Sequence, residues 1–74
     1  MLQYKVVIRS YRYSPMTVSE ELLATFKYFN EAAKYANDYF EEHIKLNFTK
    51  NVTISIRDTL KGEGAPDCLV LKLT

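Results

Sequence analysis

Residues 30–46, NEAAKYANDYFEEHIKL, decide the fold, because their apolar positions recur at spacings of three and four. This spacing predicts a helix with one apolar stripe. Asn30 is a favoured N-cap, and Glu31 would lie in the first turn, where the helix dipole stabilises a carboxylate. Small residues at the start of the stripe would let the helix sit close on a sheet. The stripe contains Ala32, Ala33, Ala36, Phe40, His43 and Ile44.

Two alternating segments precede this helix. Residues 2–13, LQYKVVIRSYRY, and residues 17–26, TVSEELLATF, have the period of two that is typical of strands. Pro15 lies between them and removes a backbone donor, which predicts a turn at residues 14–16. The two segments are therefore predicted to form a hairpin.

The second strand contains one irregularity. Glu20 interrupts an otherwise apolar side, as an edge position or a β-bulge would. A helix beginning near Ser19 is the competing interpretation, because SEELLA is good helix-forming sequence. The apolar side that Glu20 interrupts consists of Val18, Leu22, Ala24 and Phe26.

Two further strands follow the helix. Residues 52–57, VTISIR, alternate cleanly, and residues 68–73, CLVLKL, alternate again. Between them, residues 60–67 hold both glycines and one proline, which predicts a flexible connection. The order ββαββ predicts one α+β domain over residues 1–74, with a four-stranded, mostly antiparallel sheet and the helix on one face. The order of the strands across the sheet is not determined by the pattern.

The composition excludes several classes of protein. The chain has 74 residues, ten Lys and Arg against nine Asp and Glu, and a formal net charge of +1. This balance excludes a DNA-mimicking polyanion and gives no support to a strongly basic DNA-binding domain. The single cysteine excludes an internal disulfide and a cysteine-based zinc site. No apolar run is long enough to span a membrane and no signal peptide is recognisable, so a cytoplasmic location is expected.

The residues that could carry chemistry are few. His43 falls on the helix stripe, and Cys68 opens the last strand with nothing beside it in sequence to lower its pKa. The segment from Gly62 to Gly64 lacks the Gly-Lys-Ser/Thr ending and the following helix of a phosphate-binding loop. We therefore expect no enzymatic activity, no cofactor and no metal site.

The sheet face away from the helix is the candidate functional surface. If the apolar sides of the strands face the helix, this face gathers basic and aromatic residues and is expected to be free of acids. One interpretation is an ordinary solvated face. The other is an interaction surface, because Tyr and Arg are enriched at binding hot spots. The candidate partner-binding residues are Lys5, Arg9, Tyr11, Tyr13, Arg57 and Lys72.

Residues 23–34, LATFKYFNEAAK, resemble the strand-turn-helix segment of AP2-type and integrase arm-type DNA-binding domains. In those families a strand ends in Thr-Phe and an Ala-Ala-Arg/Lys helix begins a few residues later. The chain departs from the pattern by having no Trp and two strands after the helix. This resemblance implies a nucleic-acid-binding module, which would use the basic, tyrosine-bearing sheet face.

By size and element order, the whole chain resembles the small single-domain proteins of bacteriophages and mobile elements, among them anti-CRISPR inhibitors. This resemblance implies a non-enzymatic protein, monomeric or homodimeric, that binds and inhibits a host protein complex such as a nuclease or surveillance complex. It carries over no catalytic residue, since such proteins share no catalytic motif. Inhibition of a host complex is thus the leading expectation, and nucleic-acid binding is the alternative. A third hypothesis is a structural domain whose sheet face or edge mediates self-association.

Overall fold

A computed structural model describes residues 2–13, 16–46, 51–62 and 64–73, apart from the side chains of residues 12, 13 and 16. The element order is ββαββ, as predicted, and the segment after Ser19 is a strand and not the competing helix. A π-helical segment, Phe40–Lys45, continues the helix, and a 3-10 turn, Thr59–Lys61, follows the third strand. The elements are β1 (Tyr4–Tyr13), β2 (Met16–Phe26), α1 (Phe29–Tyr39), β3 (Val52–Asp58) and β4 (Leu69–Lys72).

The four strands form one antiparallel sheet in the order β2-β1-β3-β4. The long strand β1 is central and pairs with β2 on one side and β3 on the other. Val6, for example, lies opposite Ala24 of β2 and Ile56 of β3. Because β1 and β3 are both flanked by neighbours, they hold the most buried strand residues.

A bulge in β2 changes which face its residues occupy. Val6 pairs with Ala24 but Val7 pairs with Leu22, which leaves Leu23 as an extra residue. The extra residue shifts the inward–outward alternation by one position. Residues before the bulge therefore face the side of the sheet opposite to the one that the alternation after the bulge would give them. Leu22 therefore lies opposite the outward-facing Val7 and is 53% exposed. The prediction that grouped Leu22 and Val18 with the inward-facing Ala24 is wrong for this reason.

The N-cap of the helix lies two residues earlier than the sequence predicts. Its N-cap is Tyr28, whose backbone oxygen accepts a hydrogen bond from the N–H of Ala32 at 3.2 Å. Asn30 is therefore not the N-cap and lies inside the first turn. No side chain caps this end of the helix.

The π-helical segment keeps the apolar stripe facing the sheet along the whole helix. Ala32, Ala36, Phe40 and Ile44 are each four residues apart, and on an α-helix every step of four rotates the side chain about 40° past a full turn. A π-helix holds more residues per turn, which offsets this drift. Ile44 consequently returns to the core and is 2% exposed.

The core lies between the helix and one face of the sheet. Ala32 and Ala36 are fully buried, and their small side chains bring α1 close to β1 and β3. The apolar sides of β1, β3 and β4 face the helix, as expected, with Leu69, Leu71 and Leu73 packed at the margin. Full burial of one large aliphatic side chain contributes about 1.5–3 kcal/mol. The buried cluster is Val6, Ala32, Ala36, Ile44, Ile54 and Ile56.

Candidate interaction surface on the outer sheet face

The outer face, defined as the side of the sheet away from α1, consists of rows of residues that cross the strands. One row runs from Leu22 through Val7 and Ser55 to Val70. The next row runs from Glu20 through Arg9 and Thr53 to Lys72. Arg57 lies opposite Lys5, on the other side of the first row. The two arginines are thus separated by the row that contains Val7.

Four charged side chains meet over the centre of this face, and we call them the outer-face ion cluster: Arg9, Glu20, Arg57 and Asp67. Arg9 Nε donates to Glu20 Oε2 at 2.9 Å. Arg57 donates to the same carboxylate through both terminal nitrogens, at 3.1 Å to Oε1 and 3.2 Å to Oε2. Asp67, from the segment before β4, lies 3.5 Å from Arg9 Nη1 and 3.8 Å from Arg57 Nε. Each arginine therefore has two acidic neighbours.

The hydrogen bonds of the cluster shift the ionisation of its members. The hydrogen bond from Arg9, followed by those from Arg57, lowers the pKa of Glu20 because they stabilise its carboxylate form. The bond to Glu20 likewise raises the pKa of Arg9, against the smaller opposing effect of burial. Both shifts favour the charged pair.

The cluster also covers the sheet beneath it. Val7 and Ser55 face outward, yet they are only 3% and 2% exposed. Arg57 and Glu20 belong to rows on opposite sides of these two residues, so the bond between them passes over the row. Ser55 Oγ forms no hydrogen bond with the described residues under this cover. The interpretation of the outer face as an ordinary solvated face therefore fails at Val7 and Ser55.

The expectation of an acid-free, cationic face is also wrong. Glu20 and Asp67 balance Arg9 and Arg57, so the centre of the face is neutral. Glu20 reaches this face because of the bulge in β2; its interruption of the apolar side allowed a bulge or an edge position but did not place a bulge at Leu23. Asp67 reaches it because the segment between β3 and β4 returns over the sheet. Neither position follows from the spacing of residues along one strand.

Of the remaining predicted partner-binding residues, Lys5, Tyr11 and Lys72 lie around the cluster. Lys5 and Lys72 are exposed on the outer face, and no ion pair joins either to another described residue. Tyr11 is half-buried and lies opposite Val18. The side chain of Tyr13 lies outside the described residues. The structure therefore brings Arg9 and Arg57 together and leaves the two lysines at the margin.

Three exposed apolar residues on this face are absent from the predicted set. Val18 is 56%, Leu22 53% and Val70 50% exposed. Leu22 and Val70 end the row that passes under the ion cluster, and Val18 continues the apolar surface beside Tyr11. Glu20, between Val18 and Leu22, indicates that both residues face solvent. A carboxylate on the same side of the strand would be costly to bury, so that side is expected to face water.

A cavity of about 680 Å³ opens beside the cluster. Asp58, on its wall, has its carboxylate engaged by Gln3 Nε2 and the backbone N–H of Leu60, both at 3.0 Å. The hydroxyl of Thr59 donates to the backbone oxygen of Gln3 at 2.8 Å. Asp58 and Thr59 thus hold the end of β3 against the start of β1. The described wall residues are Lys5, Arg9, Arg57, Asp58, Thr59, Gly62, Gly64, Ala65 and Asp67.

The two candidate catalytic side chains do not line this cavity, and they lie on different segments of the chain. His43 is in the π-helical segment, where its ring packs against Tyr39 with centroids 4.4 Å apart. Cys68 is exposed, and its backbone N–H donates to Ile56 at 2.8 Å as β4 begins. Among the described residues no group of three or more His, Cys, Asp and Glu side chains is arranged to hold a metal ion.

Within the described part of the chain, no helix has the length and apolar character needed to cross a membrane. Comparison with known proteins gives no assignment: no protein-family model, curated protein or solved structure matches this chain.

Proposed function

We propose that this protein is a non-enzymatic binding protein that recognises a protein partner through its outer face. The observation that carries the proposal is the arrangement of exposed Leu22 and Val70 on either side of a charge-balanced cluster. Exposed apolar residues beside arginines suit a protein interface, whose core is enriched in Arg, and the pairing of the charges leaves little net charge on this face. Tyr11 would add an aromatic contact of the kind common at hot spots.

The charge balance favours a protein over a nucleic acid as the partner. Binding to phosphates requires cationic side chains that are available to replace counterions. Arg9 and Arg57 already bond to Glu20, and Asp67 lies within 4 Å of both. Only Lys5 and Lys72 would remain as cationic contacts among the described residues of the predicted set. Two marginal lysines give a weak electrostatic site.

The concrete function that we propose is stoichiometric inhibition of a host protein complex by a protein of phage or mobile-element type. The resemblance in size and element order supports this form, and the absence of any catalytic motif in the sequence agrees with it. Such an inhibitor acts by occupying a surface, so it requires exposed anchors and a rigid support. The sheet of β1 and β3, with α1 behind it, would provide the support.

The test is a comparison of two single substitutions at exposed apolar residues. Val70 lies on the outer face, whereas Leu60 lies in the 3-10 turn after β3, and their exposures are 50% and 65%. Immobilised wild-type protein is used to capture partners from bacterial lysate, and the captured complex is identified by mass spectrometry. We expect Val70→Glu to weaken binding of that complex at least tenfold and Leu60→Glu to leave it within twofold.

The salt dependence of the same complex distinguishes the two candidate partners. An interface centred on Val70, Leu22 and Tyr11 should lose little affinity as salt rises, since its contacts are mainly apolar. A steep linear fall of log affinity with log salt, combined with recovery of nucleic acid, would instead show that the face binds phosphates. Equal binding by both glutamate variants would place the interface elsewhere on the molecule.

A further inference from the structure

The outer edge of the sheet at β2 is open. β2 is an edge strand, and no described strand pairs with its other side. Residues 17–22 are all exposed, and each pairs regularly with β1, because the bulge comes only at Leu23. This part of β2 therefore offers a straight run of unpaired backbone groups, which is the template for adding another strand.

The carboxylate of Glu20, which could protect this edge by repelling another strand, is held away from the edge. Edge strands are often guarded by charged side chains that repel an incoming strand. Glu20 is central in the open run, but its carboxylate is held by Arg9 and Arg57, whose strands lie on the side opposite the open edge. The bonds that neutralise Glu20 thereby also remove the main outer-face obstacle to strand pairing.

The sequence of this run is complementary to itself in one antiparallel register. With the two-fold axis at Glu20, Val18 of each copy lies opposite Leu22 of the other, and Ser19 lies opposite Glu21. Apolar and hydroxyl–carboxylate cross-strand pairs are favourable, and the two central glutamates each have arginine partners in their own copy.

Neighbouring registers lack this match. An axis at Ser19 would place Val18 opposite Glu20, and an axis at Glu21 would place two unpaired glutamates directly opposite each other. Like charges in such positions are destabilising. The register centred on Glu20 is therefore the favoured one.

We propose that the protein forms a homodimer through antiparallel pairing of β2 with β2 of a second copy, centred on Glu20. The interface is isologous, as a two-fold dimer requires. The pairing makes one continuous eight-stranded sheet. With the axis perpendicular to the sheet, both outer faces lie on the same side. This inference goes beyond the proposed function and does not rest on the identity of any partner.

Disulfide trapping with purified protein tests both the pairing and its register. In a Cys68→Ser background, Val18→Cys and Leu22→Cys are prepared as separate proteins and oxidised alone or mixed. In the proposed dimer, residue 18 of one copy lies opposite residue 22 of the other copy. Residue 18 of one copy lies about four strand positions from residue 18 of the other, a distance of roughly 13 Å. We expect the mixture to form at least tenfold more disulfide-linked dimer than either protein alone. Val70→Cys, on the opposite edge of the sheet, is the control and should not respond to mixing.

A measurement without cysteines completes the test. Light scattering at millimolar concentration should give twice the 8.6 kDa mass of the chain for the wild type. The Leu22→Lys variant, checked for folding by circular dichroism, should give the mass of one chain. A wild type that stays monomeric, or equal crosslinking in the mixture and in the Val18→Cys protein alone, would overturn the proposal. Neither result bears on partner capture through Val70, so the proposed function is tested separately.

Discussion

Arg57 of β3 bonds to Glu20 of β2 across the full width of the intervening strand β1, with both terminal nitrogens 3.1–3.2 Å from the carboxylate oxygens. The pair links two strands that share no backbone hydrogen bonds, and it covers Val7 between them. The aliphatic part of an arginine side chain can cover apolar surface while its guanidinium forms the ion pair. The ion pair at the centre of the outer face therefore stabilises the sheet. We expect recognition of a partner to depend on the residues around it.

The first prediction concerns the acid stability of the protein. Because the folded state lowers the pKa of Glu20, the stabilising effect is complete above the ordinary glutamate pKa of 4.5 and is lost as pH falls through the lower folded-state value. We expect the Tm of the wild type to fall more steeply below pH 4.5 than that of Glu20→Gln. Thermal melts between pH 7 and 2 measure this difference. Parallel curves for the two proteins would show that the pair has no net effect.

The second prediction concerns charge reversal in the cluster. Arg9→Glu combined with Arg57→Glu would gather four carboxylates in place of two ion pairs. Hydrogen bonds to charged groups contribute about 1.5–3 kcal/mol, and partial exposure of Glu20 places the effect toward the lower end. We expect a loss of about 1–2 kcal/mol in the free energy of unfolding, measured by urea denaturation.

The control for charge reversal is Lys34→Glu with Lys45→Glu. These lysines pair with Asp38 and Glu41 one turn away on the exposed helix surface. Such pairs contribute only about 0.3–0.5 kcal/mol each. If the helix variant loses as much stability as the sheet variant, the cluster has no special structural role.

The third prediction concerns the end of the helix. Ile44→Ala removes a side chain that is 2% exposed and packed in the core, which should cost about 2–5 kcal/mol. For so small a domain this is a large share of the total stability. Leu46→Ala, at a 73% exposed position two residues later, should change the Tm little. Similar melts for both variants would mean that the π-helical segment does not direct Ile44 inward.

The strands that face the helix could be predicted because their alternation is uninterrupted. Ile54 and Ile56 alternate with polar residues, and β3 pairs without a bulge, so their burial follows directly from the sequence. The helix stripe could be predicted in the same way except for His43, which is exposed. The π-helical geometry that keeps Ile44 on the stripe could not be predicted. A spacing of four is compatible with either helix type.

The outer face was harder to predict because it depends on contacts between strands. The position of Glu20 depends on the bulge at Leu23, and its partner Arg57 is two strands away. Strand order is not encoded in the alternation of any single segment. The basic residues of the face could therefore be named from sequence, but their neutralisation could not.

The fourth prediction concerns catalysis. Since the sequence offers no paired nucleophile and base, changing His43→Gln and Cys68→Ser together should leave partner binding within twofold of the wild type. Binding of the captured complex and circular dichroism of the free protein are the two measurements. Loss of biological activity with fold and binding intact would indicate that one of these side chains performs chemistry.

The pairing of β1 with β3 determines when the sheet can form during synthesis. Val6 is synthesised before its neighbour Ile56, which comes after the hairpin and the helix have both been made. Until then β1 has a partner on one side only, and its other edge is open to other chains. Closing this long loop is also slower than forming local contacts. The nascent chain therefore passes through a stage in which the hairpin is complete while its inner edge is unprotected, and chaperone binding at that stage would protect it from aggregation.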